Sequence, residues 1–392
     1  MHHDTPHRIT LFYLYCSNNV HYIIMINFPD SSLVTILPLL TAFLITVLIT
    51  PVAIVFIKKI GLLDDPVIHK HSAIIHKTPI PRGGGLPLFL GALLSSLIFI
   101  PFNPTVTAIF FACFLALAIG LIDDKLNAQS KDVSPYLRFL INILTAVIVV
   151  ASGVSIHFIT NPFNGGLIHF DAIKLALPYL PYSLVLSDVI SVLWLIWVMN
   201  MINWSKGVDG QMPGIVAISA IIIGILSLKL NPAGTGDLID AKLSFIIAGS
   251  ALGFLVFNFY PAKIFPGYSA TSLYLLLGVV SILSSAKLAT AILVMGIPTV
   301  DAAFTIIRRI ANKKSPFHHD KKHLHHILLK FGYNQRQIAL FYWCISAILG
   351  IISLTLESKS KIFAIIMVVV ITGGILLFLH TISDKSTSEE KK

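Results

Sequence analysis

The sequence predicts an all-α, polytopic integral membrane protein of about eleven transmembrane helices, and three observations carry that reading. Apolar residues make up 56% of the 392 positions and charged residues only 12%, whereas a soluble domain carries about a quarter charged residues. Apolar runs near 20 residues recur without strand-like alternation, and a helix is the element that satisfies its own backbone in lipid. The third observation is the placement of the basic residues along the chain.

The helices are expected at 33–57, 84–101, 105–122, 137–157, 184–202, 214–230, 243–260, 271–284, 287–307, 338–355 and 361–380. Pro51 and Pro298 fall inside them, as membrane helices tolerate. With the first helix entering from outside, 21 of the 28 Lys and Arg residues lie in inside segments. That bias sets the N-terminus outside and the C-terminus inside. The net charge of +10 therefore reads as membrane sidedness. The lipid bilayer is the expected partner and nucleic acid is not. Residues 1–32 are expected as an N-terminal extension, 33–380 as the transmembrane domain and 381–392 as a polar cytoplasmic tail. Asn18 and Asn19 interrupt the first apolar stretch and no small-residue cleavage site follows, so no signal peptide is read. Met25 begins a more ordinary start, and the native chain is expected to begin there. Cys16, Cys113 and Cys344 show neither a disulfide framework nor metal-type spacing.

Five polar loops fall on the inside face, as for an active site at the cytosolic surface of a plasma membrane. A channel or carrier would show polar residues near the midplane and repeated halves, and no such repeat is visible. In the first loop, Gly83, Gly84 and Gly85 open a helix beside His76, Lys77 and Arg82. Exposed backbone N–H groups there suit an anion; a flexible basic loop is the other reading. In the second, Asp123 and Asp124 end the third helix, where carboxylates oppose the helix dipole. A paired acid there points to a cation or to proton transfer, with an ordinary loop-start acid as the alternative. The third, "NMINWSKGVDG", places Asn200 and Asn203 on one helix face. Asp209 lies between glycines, Gly207 and Gly210, that admit a ligand, or in an Asx-type turn. The fourth, "NFYPAKIFPGYSATS", begins at Asn258 and breaks two apolar runs. The fifth carries His318, His319, Asp320, His323, His325 and His326, with Asp301 about 10 Å inside the preceding helix. His319 and His323 have zinc-type i, i+4 spacing, but no cysteine joins them and the basic surroundings suit phosphate better.

"PIPRGGG", "GLIDD", "NMINW…GVDG", "GFLVFNFYPAKIFPG" and "HLHH", in this order, resemble the polyprenyl-phosphate N-acetylhexosamine-1-phosphate transferases. This is the glycosyltransferase family 4 type, related to phospho-N-acetylmuramoyl-pentapeptide transferase. The likeness runs from about residue 35 to residue 380, and "HLHH" looks closer to the branch using UDP-N-acetylglucosamine or a related sugar. It implies transfer of a sugar 1-phosphate from a UDP-sugar to a membrane polyprenyl phosphate, with release of UMP, for envelope glycan synthesis. It also implies Mg²⁺, with Mn²⁺ as the alternative, and is compatible with a homodimer.

Carried over by residue, Asp123, Asp124 and Asn203 would lie at the metal, with the acid pair near the carrier phosphate. Asp209 would lie by the nucleotide, and His323, His325 and His326 would hold phosphate. His76, Arg82, Asn200, Lys206, Asn258 and Asp320 would line the substrate. Three departures stand out. Lys206 and Tyr268 occupy positions where the family pattern has Asp, and the spacing from Asp64 to His76 is longer. A phenol is a poor ligand for a hard cation. Either the Lys206 ammonium partly replaces the metal's charge in an enzyme, or the chain is a catalytically silent homologue that binds polyprenyl phosphate or acts as a scaffold in glycan assembly.

Overall fold

A computed structural model of the chain describes residues 10–14, 22–26, 34–66, 78–131, 133–161, 163–175, 184–231, 238–283, 287–317 and 322–389. Its helices are α1 (Ile36–Lys59), α2 (Gly85–Phe99), α3 (Pro104–Ala128), α4 (Pro135–Ala151), α5 (Leu186–Trp204), α6 (Gln211–Leu230), α7 (Ile239–Asn258), α8 (Thr271–Ile282), α9 (Leu288–Val294), α10 (Gly296–Ala311), α11 (Leu324–Lys330), α12 (Gln335–Thr355) and α13 (Ser358–Glu389). Short antiparallel ribbons join them: β1 (Thr10–Leu14) with β2 (Tyr22–Ile26), β3 (Leu63–Asp64) with β4 (Ile80–Pro81), β5 (Phe158–Thr160) with β6 (Leu167–His169), and β7 (Lys174–Leu175) with β8 (Leu184–Val185).

Among the described residues, seven helices are long and apolar enough to cross a membrane, or up to eight if the bent pair α9–α10 forms one span. The protein is thus a multi-pass, mainly helical membrane protein. Three further apolar helices, α2, α4 and α8, are shorter. The expected single helix over 287–307 is two, bent by 80° at Met295. The cause is Pro298, which lacks the N–H that would bond to Val294 and whose ring would meet that carbonyl. α3 runs six residues past its expected end at 122, to Ala128, which puts Asp123 and Asp124 inside the helix rather than at its end.

Helix starts follow from capping. Asn103 accepts a hydrogen bond from the Val106 N–H at 2.8 Å, with Pro104 at the first helical position. Asn334 and Gln337 form a reciprocal capping box, at 2.9 and 3.0 Å, that starts α12 three residues before the apolar run.

α7 packs between α1 and α6. Hydroxyls tie it inward: Thr46 donates to Ser250 at 3.2 Å, and Ser250 donates to the Leu88 carbonyl at 2.7 Å, joining α1, α7 and α2. α8 is buried on every side, as suits a helix that is apolar all round. At 12 residues it is about 18 Å long, too short to cross about 30 Å of hydrocarbon. It enters the bundle from the end where the five polar loops meet. The β5–β6 and β7–β8 ribbons follow α4 and so lie at the other end.

Asn334→Ala removes the cap of α12 and should lower stability by about 1 kcal/mol. A thermal-unfolding midpoint in detergent that drops for this variant, with Gln337→Ala doing the same, is the expected outcome.

Candidate active site

The glycine run at the start of α2 comes first. The Gly83 and Gly84 N–H groups donate to the Phe265 carbonyl, at 3.4 and 2.9 Å, and Gly85 N–H donates to the Pro266 carbonyl at 3.0 Å. A Cβ on Gly84 would come within 2.4 Å of the Phe254 ring, and one on Gly85 within 2.1 Å of the Ser269 backbone. The run therefore holds the fourth loop, and the anion-cradle reading of these three N–H groups is corrected. The Phe265 N–H returns the contact by donating to the Pro81 carbonyl at 2.8 Å.

Asp124 is fully buried. Its Oδ1 accepts from the Tyr268 N–H at 2.7 Å and from Arg82 Nε at 3.1 Å, and its Oδ2 accepts from the Ser269 N–H at 3.1 Å. Gly267, between these donors and Pro266, has φ +70°, and a Cβ there would lie 2.2 Å from Asp124 Oδ2. Glycine is required on both counts. Arg82 also donates through Nη1 to Asp64 at 3.2 Å and to Asn127 at 2.6 Å. Burial opposes its charge, yet the carboxylates of Asp124, Asp64 and Asp123 outweigh burial and hold the guanidinium above its usual value.

Asp123 points elsewhere. Its Oδ1 accepts from Arg138 Nε at 2.6 Å, while its Oδ2 is buried with no hydrogen-bond partner. Arg138 stacks over the Tyr268 ring, 5.3 Å from the centroid. The Tyr268 hydroxyl lies 3.3 Å from Asn142 Oδ1 and 3.4 Å from the Arg138 carbonyl, either of which accepts its proton. Burial pushes this phenol above its ordinary range. The side chain that stands in the expected Asp position therefore packs against α4.

Lys206 donates to the Gly267 carbonyl at 2.7 Å. Burial, then the Arg82 guanidinium, pull its ammonium down to about 7 against the opposing pull of Asp124 and Asp123. The next residue, Gly207, has no room for a Cβ, which would fall 1.9 Å from His325 Nε2. The turn at 206–207 thus joins the acid cluster to the histidines. His323 Nδ1 lies 2.9 Å from Asp301 Oδ2, and the Leu324 N–H donates to Asp301 Oδ1 at 3.0 Å. Asp301 so fixes both the ring and the start of α11. The His323 and His325 rings are nearly parallel, 5.7 Å apart, and His326 lies 4.3 Å from His325. Trp204 flanks His323 at 6.0 Å. Burial, then His326 and His323, hold His325 well below its ordinary value, so it is neutral, and its Nδ1 has no partner.

Other expected site residues hold loops together. Asn258 accepts from the Gly210 N–H at 3.1 Å and donates to the Ile264 carbonyl at 2.8 Å. Asp209 accepts from the Ala262 N–H at 3.0 Å, and its own N–H donates to Gln335 at 2.9 Å. Asn200 donates to the Ile196 carbonyl, one turn back in its own helix, at 2.8 Å. Asn203 Oδ1 is buried without a partner. His76, Asp320, His318 and His319 lie outside the described residues, and with them the His319–His323 zinc spacing. Arg138 is a cluster member that the sequence reading did not single out, and Asp64 entered that reading only through its spacing to His76. Arg138 sits in the first turn of α4, where a cation opposes the helix dipole, and that was the available signal.

The residues present do not fit a divalent cation. A carboxylate offers about four acceptor positions; Asp124 uses three of them on protein donors and Asp123 Oδ1 holds Arg138, which leaves Asp123 Oδ2 and Asn203 Oδ1 as the two oxygens of the expected metal ligands with no protein partner. An ammonium stands beside both. Among the described residues, no group of three or more His, Cys, Asp or Glu is placed to hold a metal ion.

Known proteins match this arrangement along the chain. The model of glycosyl transferase family 4 matches residues 106–285. The "probable undecaprenyl-phosphate N-acetylglucosaminyl 1-phosphate transferase" of Bacillus subtilis (strain 168) is 30% identical over 357 residues, 89% of this chain and 90% of its own. The chain belongs to glycosyl transferase family 4. Two other relatives in the family are the decaprenyl-phosphate N-acetylglucosaminephosphotransferase of Mycobacterium leprae, 30% identical over 71% of this chain and 74% of its own, and the phospho-N-acetylmuramoyl-pentapeptide-transferase of Staphylococcus carnosus, 27% identical over 80% and 96%. The family model spans the Asp123–Asp124 pair, the turn at Lys206 and the loop at Tyr268.

Asp124→Asn replaces an acceptor oxygen by a donor facing Arg82 or backbone N–H groups. Breaking this buried pair should cost on the order of 3 kcal/mol. The thermal-unfolding midpoint should fall clearly; an unchanged midpoint would show that Asp124 does not hold the fourth loop.

Proposed function

We propose that this protein transfers an N-acetylhexosamine 1-phosphate from a UDP-sugar to a membrane-borne polyprenyl phosphate, releasing UMP. The observation that carries the reading is the junction, at Lys206 and Gly207, of the Asp123–Asp124–Arg82–Arg138 cluster with the histidine cluster. A phosphate oxygen of the carrier attacks the β-phosphorus of the UDP-sugar. The bond from that phosphorus to the α,β-bridging oxygen breaks, and its electron pair leaves on UMP. Phosphoryl transfer asks the protein mainly for positioning and for charge stabilisation. Lys206, Arg138 and the His323–His325–His326 group supply donors for the phosphate oxygens. Asp301 holds Nδ1 of His323, which leaves Nε2 for substrate. The UDP-N-acetylglucosamine-type donor is favoured by "HLHH" and by the relatives' printed names.

The reading includes eleven membrane-embedded segments with the N-terminus outside and the C-terminus inside, the transmembrane domain over 33–380, and the site on the cytoplasmic face of the plasma membrane. Its support is that the cluster residues fall in the sequence segments that hold 21 of the 28 Lys and Arg residues. The silent-homologue reading rests on Tyr268 and Lys206, and one assay separates the two.

Purified protein with undecaprenyl phosphate and a panel of UDP-sugars should release UMP with at least one N-acetylhexosamine donor. Binding of the lipid with no UMP from any donor would establish the silent binder. Asp301→Asn should lower the rate by about tenfold or more through misplacement of His323, with the lipid still bound.

A further inference from the structure

We propose that the Lys206 ammonium is the fixed cation that receives the sugar diphosphate at this site, and that turnover therefore does not depend on a divalent metal ion. This rests on the transferase reading above and adds to it the source of the positive charge.

Among the described residues, the cluster already pairs acids with bases. Asp64, Asp123 and Asp124 interact with Arg82, Arg138 and Lys206, three of each sign. A divalent ion placed there would face three cations, and both oxygens of Asp124 are already engaged; of the Asp123–Asp124 pair, Asp123 Oδ2 alone has no hydrogen-bond partner. An arriving diphosphate would instead meet an amine held beside the acid pair by the Gly267 carbonyl.

The ammonium is also held in place. An ammonium has three N–H donors. One is spent on the Gly267 carbonyl, the residue that Asp124 brackets through Tyr268 and Ser269. Two donors remain. The carbonyl contact fixes the head group against the most tightly held loop of the site, so little ordering is left to do when substrate arrives. The added negative charge of a diphosphate favours the protonated amine.

Tyr268 completes the argument from the other side. Its phenol is turned to Asn142 and its ring lies under Arg138. It presents no oxygen to the place that Lys206 occupies. The two positions therefore act together: one contributes a cation, and the other withdraws from the site.

The test uses the full chain in nanodiscs, with UDP-N-acetylglucosamine and undecaprenyl phosphate. UMP release should be the same in excess EDTA as in Mg²⁺. Lys206→Met should lower it about 100-fold in both, the scale of losing one charge-stabilising donor, and Lys206→Arg should retain more activity than Lys206→Met. Loss of UMP release in EDTA with recovery in Mg²⁺ would overturn the proposal. A second arm needs no turnover: Mn²⁺ binding is followed by electron paramagnetic resonance. Wild type should bind no Mn²⁺ at the cluster, and the Lys206→Asp, Tyr268→Asp double variant should gain a bound ion. Stoichiometric Mn²⁺ on wild type that is lost in Asp123→Asn would also overturn it. If wild type releases no UMP from any donor, the transferase reading fails, and the Mn²⁺ arm still decides the metal claim.

Discussion

The Asp124 carboxylate is the constraint on which the rest of the site depends. It is buried inside α3, one turn before its end, and accepts two backbone N–H groups from the loop at 266–269 and one bond from Arg82. A buried carboxylate in that position is costly unless hydrogen-bonded and paired. Here both conditions are met by residues far away in sequence. The loop so held presents the Gly267 carbonyl to Lys206 and the Phe265 and Pro266 carbonyls to the glycine run. Remove the carboxylate and three loops lose their common support.

A division of labour follows. Arg82, Asp124, Asn258 and Asp209 are polar, buried and engaged with other protein groups, so they shape the site. Lys206 spends one donor on the Gly267 carbonyl, Arg138 spends Nε on Asp123, and His325 Nδ1 has no hydrogen-bond partner. Buried polar atoms without partners, such as Asp123 Oδ2, Asn203 Oδ1 and His325 Nδ1, are costly in a finished interior. Three of them lie among the residues that the Asp124-held loop and the turn at 206–207 bring together, where a ligand could satisfy them.

Much of this was legible in the sequence, and the limits have physical causes. Apolar runs located the helices, because lipid leaves few alternatives for a run of that length. The run at 287–307 reads as one helix because Pro is often tolerated in a span, and only the fold shows the break at Met295, with Pro298 in the first turn of α10. Asp123 and Asp124 were singled out, but their partners were not. Asp124 and Tyr268 stand 144 positions apart, and no one-dimensional pattern reports such a pair. The glycine run was misread for the same reason: close packing against Ser269 and an anion cradle ask for the same residues. Lys206 and Tyr268, read as defects against a family pattern, are placed by the fold in complementary positions.

The most direct measurement is an electron cryo-microscopy map of the protein bound to a UDP-N-acetylhexosamine in EDTA. The account predicts diphosphate density within about 3 Å of Lys206 Nζ, hydrogen-bond range for an ammonium, with His323 facing the same group. Diphosphate density remote from Lys206, or a requirement for added Mg²⁺ before any nucleotide density appears, would contradict it.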